Sequence, residues 1–337
     1  MPTEIKLALA GQLRRQYLLP PEGRPLLDTP GGNLLYAASG ARLWGDRVAL
    51  LARVGEDFPH DWLRQFEQKD MDPQGIKILP GPMDLRSFMA YTDANTYQIS
   101  NPVSHFARLG QPFPKGLLGY QPSSGDGDTH TSSNPDSARI SEIPADYLLA
   151  KAVHLCPLDF LTHTQLAPAF RQRGVPTITI DPGPGYMNGN FLNDLRSLLQ
   201  GVTAFLPSED EMRKLFWGRT TDLWEMAETL GSYGVEIVVI KRAGRGQYVY
   251  DRDGRKKWDV PAYPGRMADP TGAGDAFCGG FLAGYTGGAF DPLQATLCGN
   301  VSASLAIEGS GAFYALESLP GLAQARLKSL ADIVRVV

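Results

Sequence analysis

Asp275 stands directly after three small residues, in the run Asp269-Pro270-Thr271-Gly272-Ala273-Gly274-Asp275. The stretch that follows, Ala276 to Tyr285, is apolar and of helix length, so the small residues fall at a helix start. The first N–H groups of a helix have no partner inside it, and the peptide dipoles place partial positive charge there. With no bulky side chain at 272–274, a phosphate can come close to those N–H groups. An acid beside an anion cradle would ordinarily repel its guest. It makes sense there if its task is to take the proton from a hydroxyl that attacks phosphorus. The plainer alternative makes Asp275 a helix-start acid and the glycines a packing device. Gly279-Gly280 and Gly287-Gly288 close by favour that alternative. The run is neither a Walker A loop nor G-x-G-x-x-G.

Elsewhere, Ser208 with Glu211 three residues on is a capping-box pattern at another helix start. Lys241 and the loop Gly244–Gly246 lie between the apolar run 235–240 and Gln247-Tyr-Val-Tyr-Asp251, which reads as a hairpin turn.

These residues need a frame. Short apolar runs at 152–156, 175–180, 202–207 and 235–240 alternate with helix-length segments at 161–174, 191–201, 208–218 and 221–234. Such β-α-β alternation implies an α/β fold with a mostly parallel sheet and helices on both sides. Residues 11–30 and 84–101 look like β segments outside the alternation, suited to a small lid sheet. Residues 110–141 read as a flexible loop, rich in Ser, Gly, Asp and Pro from 119 onward. From Asp126 this loop only faintly suggests a calcium loop, since Ser137 stands where an EF-hand needs Glu. The whole chain, 1–337, is expected to be one domain.

The totals exclude several classes of function. Among 337 residues, 43% are hydrophobic and 20% charged, and the net charge is -4. That balance gives no electrostatic footprint for nucleic acid or an anionic membrane. Three scattered cysteines, Cys156, Cys278 and Cys298, make a disulfide scaffold or zinc site a poor reading. The expected setting is the reducing cytoplasm.

The signature from Asp269 to Asp275, with Gly279-Gly280-Phe281-Leu282 after it, resembles that of the ribokinase/PfkB family of carbohydrate and nucleoside kinases. Similar blocks occur in family order at 29–58, 206–218, 238–250 and 298–312. The resemblance implies a three-layer α/β/α ribokinase-like fold with a small β lid, and an ATP- and Mg²⁺-dependent kinase acting on a sugar-like hydroxyl. It implies Asp275 as catalytic base, with the amides of Gly272, Ala273 and Gly274 as anion hole. Glu211 would organise Mg²⁺ through water, with Ser208 replacing the usual Asn. Lys241, Gly244, Gly246 and Thr271 would contact the nucleotide phosphates, and Asn300 would lie near the adenine. Asp269, Thr271, Ser310 and Gly311 lie where many relatives hold a monovalent cation such as K⁺.

On the acceptor side Gly31 and Gly32 remain, but Gln16 and Tyr36 replace the Asp and Asn that grip sugar hydroxyls. Arg14 and Arg15 suit either an anionic acceptor or a solvated lid edge. Two alternatives to a sugar kinase stay open, a nucleoside kinase and a kinase-fold binding protein without ordinary turnover. The expected assembly is a monomer or a homodimer through the lid, with a small-molecule substrate and neither nucleic acid nor membrane as partner.

Overall fold

The computed structural model describes residues 6–45, 47–93, 96–122, 127–332 and 334–336. The strands are β1 (Leu7–Ala10), β2 (Arg14–Leu19), β3 (Leu26–Gly31), β4 (Val48–Gly55), β5 (Met71–Leu79), β6 (Arg86–Tyr91), β7 (Tyr97–Gln98), β8 (Ala152–Leu155), β9 (Thr177–Ile180), β10 (Ala204–Phe205), β11 (Ile237–Lys241), β12 (Gln247–Asp251), β13 (Lys256–Val260) and β14 (Arg335–Val336). The helices are α1 (Asn33–Arg42), α2 (His60–Gln68), α3 (Pro102–Arg108), α4 (Phe160–Gln172), α5 (Leu195–Leu198), α6 (Glu209–Leu215), α7 (Leu223–Ser232), α8 (Ala273–Gly287), α9 (Pro292–Ala306) and α10 (Leu322–Ala331).

Alternation within the buried strands sorts their side chains between two helical layers. On β11, Val238 and Ile240 join a core with Leu166 and Phe170 of α4 and Met226 and Leu230 of α7. Ile237 and Val239 face the other way, against Phe277 and Phe281 of α8 and Val301 of α9. The sheet between these layers runs β14-β13-β12-β11-β10-β9-β8-β1-β4-β5. It is parallel from β5 through β11 and antiparallel from β11 to β14. Separate from it, β3-β2-β6-β7 form the four-stranded sheet that residues 11–30 and 84–101 suggested.

The chain leaves β1 toward β4 and β5 on one side, and builds β8 to β11 on the other. The order therefore reverses between β1 and β8. In open α/β sheets the crevice beyond the strand C-termini at such a reversal is where ligands bind.

Two elements differ from the sequence reading. The alternation was read from residue 152 onward, yet the sheet also takes in β1, an interior strand between β8 and β4 whose four residues are fully buried. A run as short as Leu-Ala-Leu-Ala has too little pattern to separate strand from helix. Residues 191–201 are turns around the single short helix α5, because Phe191 is drawn into an aromatic cluster with Phe160 and Tyr186. The capping box at Ser208 is present in full, with each partner bonded to the other's backbone N–H.

Residues 110–141 carry no sheet strand among the described residues, and their second half is fastened to the body. The amide of Asn134 and the hydroxyl of Ser137 both donate to Asp159 Oδ2, at 3.0 and 2.7 Å. The Arg53 guanidinium donates to the Pro135 carbonyl at 2.9 Å. Asp126 of the calcium-like pattern lies outside the described residues.

Candidate active site

Two helix starts meet at the crevice. Helices α1 and α8 pack closely because each offers a glycine to the other. A Cβ on Gly40 would fall 2.0 Å from the Ala276 carbonyl oxygen, and one on Gly279 would fall 1.7 Å from that of Ala37. The packing reading of the nearby glycines is therefore right for Gly279.

It is not right for Gly274. A Cβ there would meet only Lys241 Nζ, at 3.6 Å, so packing does not require a glycine. Gly272 is the N-cap of α8 with φ of 73° and no side-chain cap, and the Tyr36 ring lies against it. Among the described residues the amides of Gly272 and Gly274 make no hydrogen bond, whereas that of Ala273 donates to the Pro270 carbonyl at 3.2 Å. The turn thus presents open donors on both sides of an occupied one. Across from it, Gly32 caps α1 with φ of 99° and again no side-chain cap.

Asp275 lies in the first turn of α8, partly exposed. Burial, and then the negative charge of Asp181, push its pKa up to about 7, with Lys241 opposing and Glu211 adding to the rise. A carboxyl with that pKa is poised to exchange a proton near neutrality.

Asp181 follows β9 and is 3% exposed. Its Oδ2 accepts from Lys241 Nζ at 2.6 Å and from Cys278 Sγ at 3.3 Å. Burial works against the charge on Lys241, but Asp181, Cys278 and Glu211 outweigh it and hold its pKa above the ordinary lysine range. Sequence reasoning missed Asp181. Its only signal was the Asp-Pro-Gly turn at the end of a strand.

Ser208 and Glu211 sit one strand along, where Ser208 bridges to Lys241. Glu211 Oε2 accepts from the Ser208 amide and hydroxyl, each at 2.7 Å. Its Oε1 makes no hydrogen bond among the described residues.

Beyond the 269–275 turn opens a cavity of about 500 Å³, lined by Lys241, Gly244, Gly274, Phe277, Asn300 and Ile307 among others. Gly244 borders it with open space around its Cα, whereas Gly246 is fixed by the hairpin, since a Cβ would lie 2.0 Å from the Val260 carbonyl oxygen. Asn300 spends its whole side chain on structure. It accepts from the Tyr263 amide at 2.9 Å and donates to Gln247 Oε1 and the Pro261 carbonyl, each at 2.8 Å.

Asp269 is 1% exposed, with Oδ1 accepting from the Thr271 amide at 3.0 Å and Oδ2 buried without a partner. The amides of Ala268 and Asp269 both donate to the Ile307 carbonyl, which brings this segment beside the turn holding Ser310 and Gly311. The lid reaches the 269–275 run through the Thr271 hydroxyl, which donates to Tyr91 Oη at 3.2 Å.

On the acceptor side, Tyr36 Oη donates to Gln16 Oε1 at 3.0 Å, and Gly31 packs on the Gln16 side chain. Neither arginine is free. Arg15 makes two bonds to Asp28, at 2.8 and 2.6 Å, and Arg14 pairs with Asp136 at 2.5 Å.

The family model described as "pfkB family carbohydrate kinase" matches residues 137–319. A cytidine kinase of Thermococcus kodakarensis is 30% identical over 286 residues, which cover 84% of this chain and 90% of that protein. The chain belongs to the pfkB family of carbohydrate kinases. Members of this family are phosphotransferases with an alcohol group as acceptor, and so is this protein. Two solved structures share the ribokinase-like fold. An E. coli ribokinase II in complex with ATP and Mg²⁺ matches at TM-score 0.71 and 18% identity, covering 96% of this chain and 99% of that one. A Burkholderia thailandensis nucleoside kinase in complex with inosine matches at TM-score 0.67 and 20% identity, covering 96% and 98%. No helix among the described residues of this pfkB kinase is long and apolar enough to cross a membrane.

Proposed function

We propose that this pfkB kinase transfers the γ-phosphoryl group of ATP to a hydroxyl of a neutral nucleoside or sugar, with the nucleoside favoured. The observation that carries the reading is the pair of open amides at Gly272 and Gly274 beside a carboxyl whose pKa lies near neutrality. Asp275 takes the proton of the acceptor hydroxyl as its oxygen bonds to phosphorus and the bond to the leaving ADP oxygen breaks. The open amides stabilise the negative charge on the transferring group.

The cavity beside Gly244 and Asn300 suits the nucleotide base, and Lys241 lies at its phosphate end. Glu211 Oε1 is the carboxylate oxygen free to hold a water of a bound Mg²⁺, which when present neutralises phosphate charge. The unpartnered, buried Asp269 Oδ2 fits a monovalent cation such as K⁺, since an orphan carboxylate oxygen is costly to bury.

The paired arginines favour a neutral acceptor over an anionic one, and the cytidine kinase relative favours a nucleoside. The test is to incubate the protein with ATP, Mg²⁺ and, in turn, cytidine, uridine, inosine, ribose and fructose, and to detect phosphorylated product. Turnover of at least one nucleoside is expected, with ribose and fructose poor because Gln16 and Tyr36 lack the usual carboxylate and amide grips. Efficient turnover of ribose or fructose alone would overturn the nucleoside preference, and no product from any acceptor would overturn the proposal.

A further inference from the structure

The segment before β8 brings one carboxylate to the crevice between β1 and β8. Asp136 is 8% exposed and touches the turn that follows β1. Its Oδ2 accepts from Arg14 at 2.5 Å, and its Oδ1 accepts from Gln12 Nε2 at 3.2 Å. That turn in turn lines the start of α1. The Gln12 amide donates to Asn33 Oδ1 at 2.7 Å, and Asn33 Nδ2 donates to the carbonyl of Pro157, just past β8. A Cβ on Gly32 would fall 2.3 Å from the Gln12 carbonyl oxygen. Asp136 therefore stands where the β1 and β8 ends and the open start of α1 converge.

Its own turn is held rigidly from outside the crevice. Asp159 fixes Asn134 and Ser137, Arg53 fixes Pro135, and Arg139 donates to the carbonyls of Ser137 and Asn134 at 3.0 and 2.9 Å. A salt bridge serving only to tie a loop down would not need so many independent anchors on its backbone. Held this way, the carboxylate keeps its place when a ligand competes for its lone pairs.

We propose that Asp136 is a specificity-determining residue that recognises a hydrogen-bond donor of the neutral acceptor, with Arg14 balancing its charge. This rests on the kinase reading above. The carboxylate accepts from a hydroxyl or an exocyclic amine, while the adjacent guanidinium and the Gln12 side-chain Nε2 donate to the acceptor's oxygens. The acid absent from position 16 is thus supplied by a different part of the chain.

The experiment compares the wild type, Asp136→Asn, Asp136→Ala and Asp136→Glu with cytidine, 2′-deoxycytidine and uridine, measuring KM for each acceptor, KM for ATP, and thermal midpoint. Asp136→Asn keeps the shape, so it remains informative if the Ala variant fails to fold. The expected result is a rise of roughly tenfold or more in acceptor KM for the Asn variant, with KM for ATP within about twofold and partial recovery in the Glu variant. If the ribose hydroxyl is the donor recognised, the variant loses discrimination against 2′-deoxycytidine. If the amine is, it loses discrimination against uridine. Acceptor KM unchanged, or KM for ATP rising in step with it, overturns the inference and leaves the kinase reading intact. Wild-type protein inactive on every acceptor overturns both.

Discussion

The two walls of the crevice are made differently. On the proposed reading, the phosphate wall comes largely from one contiguous run, 269–275, backed by Lys241 and Glu211 at neighbouring strand ends. On the same reading, the acceptor wall is assembled from the turn after β1, the start of α1, the lid strands and the 134–137 turn, which are far apart in the chain. The family match divides along the same line. It covers 137–319, which holds the anion turn, Lys241 and Asn300, while Gln16, Gly31, Gly32 and Tyr36 precede it and Asp136 is the residue before it. Phosphoryl transfer presents the same charge and geometry whatever the acceptor, so a local solution serves all. Acceptor recognition has to follow the shape of one molecule, and it is built from dispersed parts.

The strongest way to break this comparison is Asp275→Asn. It keeps the size of the side chain but removes the basic oxygen. Steady-state kinetics should show kcat lowered by roughly two to four orders of magnitude, with ATP affinity and thermal midpoint nearly unchanged. Near wild-type turnover would make Asp275 a helix-start acid and nothing more.

Gly274→Val tests the phosphate wall without touching the base. Only Lys241 Nζ lies within 4 Å of the new Cβ, so the fold should persist. The side chain would shield the open amides, and kcat/KM for ATP should fall about a hundredfold. Wild-type use of ATP by this variant would place the anion hole elsewhere.

A smaller effect is expected from the acceptor wall. Tyr36→Phe deletes the bond to Gln16 while keeping the ring against Gly272. It should raise acceptor KM by roughly fivefold, the worth of about one hydrogen bond, and leave KM for ATP alone. A matching change in both constants would mean that the two walls are not separable.

The subtlest test is the pH profile. Asp275 must be ionised to accept a proton, so kcat/KM for the acceptor should climb with pH to about 7 and level off above it. Asp181→Asn removes a neighbouring negative charge and releases Lys241. Both changes favour the carboxylate, so the rising limb should shift to lower pH. A shift upward would contradict the assigned cause of the raised pKa.

What the sequence made legible follows the same division. The anion turn, the capping box and the alternation of strands and helices are local patterns, in which the spacing of neighbouring residues already states the geometry. The signature near Asp275 identified the family. Local pattern could not show that Leu7–Ala10 is an interior strand of the sheet, because four apolar residues fit a strand and a helix equally well.

Nor could it pair distant charges. Arg14 and Arg15 read as free cations until the fold set Asp136 and Asp28 against them, and the Ser, Gly and Asp content of 110–141 gave no sign that Asp136 is pinned at the crevice. Asn300 was expected beside the base; it lines the cavity of about 500 Å³, with its side chain committed to holding the hairpin and Tyr263 in place. The sequence by itself determined the family and the turn of small residues before Asp275, because that signature sits within a few residues at one helix start. Only the tertiary structure decided which charges are paired, because electrostatic pairing depends on distance in space, and residues 14 and 136 become neighbours only once β1 and β8 lie side by side.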